Sequence, residues 1–468
     1  MKQNTAGREG ASTGSGSSQK HYLFGEMPVL KALLTLAVPT ILSQIVTMIY
    51  NLADTYFVGR SNDPLKVAAV SAAYVLLFFM NAFSNLFGIG GGSLISRLLG
   101  MHKEEEAKKA AAFSFWGSAA LGVVYILAVL LFEKPLLYFL GASESTYAYC
   151  REYVRWVVLF GGVPTVVSLT LAHLLRNEGH ASTASAGLTA GGLLNMVLDP
   201  LFMFVLLPEG QEVTGAAAAT FISNVFVLVF FLFSIRRMKE NTVISLSLRT
   251  GLPEKKNIRE IFGIGFPSTV ATGLAAFSNM FVTHTCAATE LGDYCVAAAG
   301  IVKKIDMLPM NTGMGLCQGM IPLVAYNYAA KNYDRMKKAM KTARGIGILF
   351  ALVCVVCYEL FAEPITGLFI QEAQTAALSA RLLRLAVLAT PTTITSFQLN
   401  YSFQATAHGK ETMLLSVARQ GVFHIPLIAL FASLWGAEGI MLAQLASDAL
   451  TLSLGFTLWH YRVEKKLP

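Results

Sequence analysis

The sequence contains twelve apolar stretches, each long enough to cross a lipid bilayer as a helix. They lie near residues 29–57, 67–97, 108–132, 148–175, 181–207, 214–235, 259–286, 295–325, 340–361, 378–404, 412–435 and 438–460. Only 14% of the residues are charged, against about 25% in soluble domains. This pattern excludes an ordinary soluble domain and predicts an all-α integral membrane protein with twelve transmembrane helices.

Lysine and arginine residues are distributed unevenly over the loops between these stretches. Most of the 36 basic residues lie on the side that also holds both termini. The loops of the opposite side hold only Arg60, Lys66, Lys134, Arg151, Arg155, Arg381 and Arg384. Because basic loops stay in the cytoplasm, we expect both termini to be cytoplasmic. The net charge of +8 then reflects topology, and we expect no nucleic acid among the partners.

The two halves of the chain resemble each other in sequence. Pro39 matches Pro267 at an offset of 228, and Gly90 matches Gly319 at an offset of 229. Six helices per repeat keep both copies in one orientation, so we expect two six-helix bundles related by a pseudo-two-fold axis along the membrane normal. The predicted divisions are a disordered cytoplasmic tail (1–25), an N-lobe (26–236), a cytoplasmic linker (237–258), a C-lobe (259–462) and a second cytoplasmic tail (463–468).

Few carboxylates lie inside the apolar stretches, and each costs roughly 2.5–3.5 kcal/mol to insert. Asp54 shares a helix face with Tyr50 and Thr47, and Asn195 and Asp199 repeat the same spacing in the fifth stretch. These faces could converge on a site for a proton or a sodium ion, with amide and hydroxyl oxygens completing the coordination. Alternatively, the first aspartate caps a helix end and the second precedes a proline at a kink.

Other polar residues inside the stretches have less defined roles. Lys303 and Asp306 are three residues apart, which permits either an ion pair within one helix or a charged lining of a cleft between the lobes. Pro39 is a candidate for a functional bend in the first helix. The residues assigned to a substrate cleft are Thr47, His173, Lys303, Asp306 and Gln318.

Motifs that would indicate catalysis or a bound cofactor are absent from the sequence. There is no nucleotide-binding Gly-x-x-x-x-Gly-Lys-Ser/Thr loop, no acidic metal cluster and no His-Glu-x-x-His motif. The six cysteines show no paired spacing that suggests a disulfide framework or a thiolate metal site. We therefore expect no catalytic residues, no cofactor and no structural metal ion.

Four segments together resemble the multidrug and toxic compound extrusion (MATE) transporters over about residues 28 to 462. These are NLADTYFVGR at 51–60, LLRNEGH at 174–180, NMVLDPLF at 195–202 and CQGMIPLVAYNYAAKNYDRMKKA at 317–339. The seventh stretch lacks an interior glutamate and the tenth lacks an aspartate. The resemblance is therefore to the bacterial DinF-like and MepA-like branch, and it implies the MATE/MOP-type fold.

The resemblance also implies a set of cation-coupling residues. Asp54 corresponds to the family's coupling aspartate, Asn195 and Asp199 to its partners on the fifth helix, Tyr50 to the neighbouring tyrosine, and Thr220 to the threonine of the sixth helix. A transient Na⁺ would be held by the two aspartates, the asparagine and the threonine. Pro39 corresponds to the proline at which the first helix bends.

The function implied is an antiporter in the bacterial cytoplasmic membrane that is driven by H⁺ or Na⁺. It would export organic, often cationic, amphipathic drugs by alternating access, as a monomer surrounded by membrane lipids. Two other functions remain open from the sequence. One is a flippase for lipid-linked precursors from the same superfamily, and the other is an integral-membrane enzyme that modifies lipids.

Overall fold

The structure is a computed structural model that describes residues 18–60, 63–208, 210–239, 241–370 and 372–467. The helices of the N-lobe are α1 (Val29–Gly59), α2 (Pro64–Gly100), α3 (Glu104–Leu131), α4 (Glu133–Phe139), α5 (Glu144–Val154), α6 (Gly162–Glu178), α7 (Ala181–Leu201) and α8 (Glu212–Arg237). Those of the C-lobe are α9 (Lys255–Ala287), α10 (Gly292–Ala329), α11 (Tyr333–Gly367), α12 (Ala373–Val387), α13 (Thr390–Ala405), α14 (Gly409–Val417) and α15 (His424–Arg462). All twelve predicted stretches are mainly helical.

Several predicted spans are broken or joined helices. Among the described residues, 8 helical segments are long and apolar enough to cross a membrane, or 9 if a bent pair counts as one span. That pair is Glu144–Phe160 and Gly162–Glu178, with a bend of 52°. The last two predicted stretches follow each other without a loop, and the helix that joins them is kinked at Gly436, where φ is 60°.

The buried side chains form three hydrophobic cores, which show how the lobes are joined. The core nearest the termini combines residues of both lobes, among them Leu33 and Met320. At the other end of the helices, one core around Val58 belongs to the N-lobe alone and one around Cys286 belongs to the C-lobe alone. The lobes are therefore closed against each other at the end that carries the termini, and they are separate at the opposite end.

Glycine residues allow the helices of the two lobes to approach closely at the closed end. A Cβ atom added to Gly319 of α10 would lie 2.5 Å from the Cα atom of Ala37 in α1. A Cβ atom at Gly265 of α9 would overlap the carbonyl oxygen of Leu86 in α2. Because real Cβ atoms cannot approach this closely, larger residues at these positions would separate the lobes.

The segment before α1 is folded, which differs from the predicted disordered tail. Residues 1–17 lie outside the described part of the chain, but Tyr22–Glu26 form a π-helical turn. Phe24 is fully buried and stacks on Tyr326 of α10 with 5.2 Å between ring centroids. The prediction of disorder is wrong for residues 18–25. The first twenty residues are polar, but the apolar side chain of Phe24, which follows them, is enough to hold this part of the segment against α10.

Candidate functional site

The carboxylates Asp54 and Asp199 are brought together by the packing of α1 against α7. A Cβ atom added to Gly192 of α7 would lie 3.4 Å from Val46 and 3.5 Å from Tyr50 of α1. The helices run in the same direction, so each aspartate follows this contact by about one to two turns. Asp199 lies within electrostatic range of Asp54. The two polar faces therefore lie close together in the structure.

Asp199 is completely buried, and Asn195 beside it is 3% exposed. The Asn195 amide nitrogen donates a hydrogen bond of 3.1 Å to one oxygen of Asp199. The other Asp199 oxygen and the Asn195 amide oxygen have no partner among the described residues. A buried polar atom without a partner costs about 1–3 kcal/mol. Both orphaned atoms are acceptors, so a bound proton or cation would supply what they lack.

Thr220 lies at the level of this pair on the neighbouring helix. Helices α7 and α8 pack in an antiparallel arrangement. Gly191 of α7 lies against Val227 of α8, and Gly215 of α8 lies against Met203, in the turn that follows α7. Interpolation between these contacts places Thr220 level with the buried carboxylate, without a direct hydrogen bond to it. No group of three or more His, Cys, Asp or Glu residues in the described chain could hold a metal ion. A Na⁺ would therefore need amide and hydroxyl oxygens as well as carboxylates.

The remaining predicted residues of α1 have structural partners. The Thr47 hydroxyl donates to the Ser43 carbonyl oxygen at 2.9 Å within the helix. Tyr50 packs against Gly192. Helix α1 runs without a break from Val29 to Gly59 through Pro39, so this structure holds the first helix in a continuous form.

A second polar group joins the lobes near their closed end. The Gln318 side-chain oxygen accepts a hydrogen bond of 2.9 Å from Arg176 and one of 3.4 Å from Gln44. Tyr401 of α13 lies close enough to Gln318 to interact with it. This residue therefore connects α1 and α6 of the N-lobe to α10 and α13 of the C-lobe. The sequence predicts Gln318 in the cleft but does not indicate its partners, which are far apart in the chain.

His173 and Lys303 are not part of either group. The His173 ring packs against α2, where a Cβ atom at Gly88 would lie 2.9 Å from its Cδ2 atom. Lys303 is exposed. Of the two alternatives for Lys303 and Asp306, the described residues do not show the ion pair, and Asp306 lies instead within electrostatic range of charges on other C-lobe elements. Spacing along one helix allowed the pair but did not fix where the long lysine side chain points.

Comparison with known proteins identifies the family. The MatE family model matches the chain twice, at residues 39–201 and 267–430. The chain belongs to the MATE family. The two matches begin at Pro39 and Pro267, the prolines whose offset of 228 indicated the repeat. Membership makes the protein a transporter rather than an enzyme, as the lack of catalytic motifs predicted.

Individual MATE proteins resemble this chain over almost its whole length. The multidrug export protein MepA of Staphylococcus aureus (strain MSSA476) is 30% identical over 435 residues, which cover 92% of this chain and 93% of the relative. A multidrug resistance MATE family transporter of the MOP superfamily, solved in an outward-facing conformation, matches with a TM-score of 0.89 and 25% identity. A MATE solved in complex with MaL6 matches with the same TM-score and 24% identity. Each structure covers 95% of this chain, and this chain covers 98% of each of them. The predicted family, the MepA-like resemblance and the all-α membrane fold are confirmed.

Proposed function

We propose that this MATE protein is an antiporter in which a proton or a sodium ion, bound at Asp54 and Asp199, drives the export of drugs. The observation that carries the proposal is the buried Asp199 carboxylate beside Asn195, with one orphaned oxygen on each. An ionised carboxylate in the hydrocarbon region is costly. Binding of a cation neutralises the carboxylate and satisfies both oxygens. The energy of this site therefore differs between the cation-loaded and the empty protein.

Coupling follows from a difference in cation affinity between two arrangements of the lobes. The two carboxylates repel each other when both are ionised, and a bound cation removes that repulsion. The structure is closed at the end of the termini and separated at the other. With both termini in the cytoplasm, this arrangement faces outward, in keeping with the outward-facing relative.

The driving force needs no nucleotide. One elementary charge moving through 100 mV supplies about 2.3 kcal/mol, which maintains roughly a fifty-fold gradient of an uncharged drug at one-to-one exchange. Multidrug export is the activity in the name of the 30% identical relative. We infer that the substrates here are likewise organic, often cationic, amphipathic compounds. Both coupling aspartates belong to one chain, so a monomer in the bacterial cytoplasmic membrane suffices.

Asp54→Asn and Asp199→Asn test this proposal. We expect each variant to insert into the membrane but to lose ion-driven export. A neutral amide cannot take up a proton near neutral pH, and it cannot balance the charge of a bound Na⁺. The measurement is uptake of a fluorescent organic cation into everted vesicles, driven separately by a proton gradient and a sodium gradient. Asp293→Asn, at an exposed position in the first turn of α10, is the matched control. Full export by the Asp54 variant would refute the assignment.

A further inference from the structure

The C-lobe contains a charged group of its own, built around Asp448 of α15. Asp448 is completely buried. One of its oxygens lies 2.6 Å from the Arg419 guanidinium, and the other accepts a hydrogen bond from the Thr393 hydroxyl. Arg419 also lies over the ring of Phe397, with 4.8 Å to the centroid. Both oxygens of this carboxylate and the charge of this arginine are therefore already engaged.

Asp306 of α10 lies near this pair without a partner of its own among the described residues. It lies within electrostatic range of Asp448 and Arg419, and it forms no hydrogen bond or ion pair with any described residue. The groups of α11 that sense its charge are Cys354 and Tyr358. Tyr358 donates its proton to a backbone carbonyl, at 3.1 Å, so it offers no compensating positive charge.

The other titratable group near the pair is also engaged. His424, at the start of α15, is 5% exposed and lies within electrostatic range of both Arg419 and Asp448. Its Nδ1 atom is hydrogen-bonded to the Ser278 hydroxyl at 2.7 Å. Two carboxylates thus lie near one guanidinium, which pairs with Asp448, and the group carries a net charge of minus one when both are ionised.

An unsatisfied side chain next to the pair also indicates a missing ligand. Thr390 is completely buried, and its hydroxyl oxygen has no partner among the described residues. It lies one turn before Thr393 on the same face of α13, the face that meets Asp448. A hydroxyl oxygen can accept from or coordinate a positively charged ligand, so Thr390 could complete a site at this face.

We propose that Asp306, together with the Arg419–Asp448 pair, forms a second site for one monovalent cation, a proton or Na⁺, inside the C-lobe. One positive charge makes the group neutral, whereas a divalent ion would leave an excess positive charge in the hydrocarbon region. The site is not the repeat image of the first. At the repeat offset of 228, the counterpart of Asp306 is Phe78, and the counterpart of Asp54 is Val282.

The position of the site determines what its cation does. All the charged groups come from C-lobe elements, so binding there is separate from binding at Asp54 and Asp199. Its role in transport rests on the proposed antiport, because a second cation adds a second unit of driving force to each cycle. Binding itself can be tested without transport.

The test counts cations bound by the purified full-length protein. One measurement is equilibrium binding of radioactive Na⁺, with choline as the competing inert cation. The other is acid–base titration between pH 5 and 9 in choline. The measurement that responds is Na⁺ binding if the cation is Na⁺ and the acid–base titration if it is a proton. In that measurement, we expect Asp306→Asn to lose one cation per chain, Asp54→Asn to lose another, and the double variant to lose both. Asp293→Asn is the control and is expected to lose none.

Asp448→Asn provides a second variant with a distinctive result. It frees Arg419 to pair with Asp306, so it is expected to lose the same cation as Asp306→Asn although Asp306 is intact. If both variants bind as many cations as the wild type in both measurements, the second site is refuted. If Asp54→Asn alone removes every bound cation, the second site is again refuted while the proposed function stands. If Asp306→Asn removes the only bound cation, the second site stands and the coupling site in the N-lobe fails.

Discussion

Arg176 is a buried residue whose environment is unusual for its charge. Its side chain is 3% exposed, it forms no ion pair with any described residue, and its Nε atom lacks a hydrogen-bond partner. The Gln318 oxygen at 2.9 Å is the acceptor that the structure provides. A buried guanidinium that depends on one neutral oxygen is sensitive to loss of that oxygen. Because that oxygen belongs to the other lobe, the interaction lasts only while the lobes are closed at this end.

Replacing Gln318 by leucine should therefore destabilise the protein. The change leaves Arg176 buried without its acceptor, and we expect the free energy of unfolding to fall by about 1–3 kcal/mol. Gln318→Glu supplies a carboxylate instead and should lose less. Thermal unfolding in detergent measures both, with Gln374→Leu, at an exposed position, as the control. A Gln318→Leu protein as stable as its control would contradict this role.

At the scale of elements, local patterns predicted the helices but not the contacts between distant segments. The four-residue spacings of Asp54 with Tyr50 and of Asn195 with Asp199 defined faces that lie close together in the structure. Periodicity carries no information about partners on other helices, so the pairing of Arg419 with Asp448, 29 residues apart, was not predictable. The same limit applies to the polar hub at Gln318, which four helices build.

The segment before α1 shows a further contact of this kind. Glu178, at the end of α6, is completely buried and forms an ion pair of 2.5 Å with Lys20. It also accepts a hydrogen bond of 2.6 Å from Thr242 in the linker and another from the backbone of Val243. On the C-lobe side, Arg335 donates to backbone oxygens of the same segment. The segment and the linker thus tie the two lobes together at their closed end.

Glu178→Gln should loosen this attachment without changing its shape. The amide loses the ion pair with Lys20, and hydrogen bonds to charged groups contribute about 1.5–3 kcal/mol. We expect hydrogen exchange of residues 18–27 to become about 10- to 150-fold faster. Mass spectrometry of the exchanged peptides measures this, with Glu105→Gln, a surface change, as the control. Unchanged exchange in the segment would show that the ion pair between Lys20 and Glu178 does not hold it.

At the scale of the whole molecule, the distribution of the cores defines which state is described. One core spans both lobes at the end of the termini, and each lobe has a separate core at the other end. Cys317 lies in the shared region and is 1% exposed. Alternating access requires this shared core to separate, so the free energy of the glycine contacts that close it determines how often the opposite state forms.

Gly265→Ala should therefore shift the protein toward the state that is open at the end of the termini. The added methyl group meets the Leu86 carbonyl oxygen, and overpacking of this kind costs about 1–3 kcal/mol. Gly273→Ala, on the same helix with nothing within 4 Å, is the matched control because it makes the same change without a clash. In protein that retains Cys317 as its one cysteine, a polar maleimide should label that thiol about 5- to 150-fold faster in the Gly265 variant. Equal labelling of the two variants would mean that this contact does not hold the lobes together.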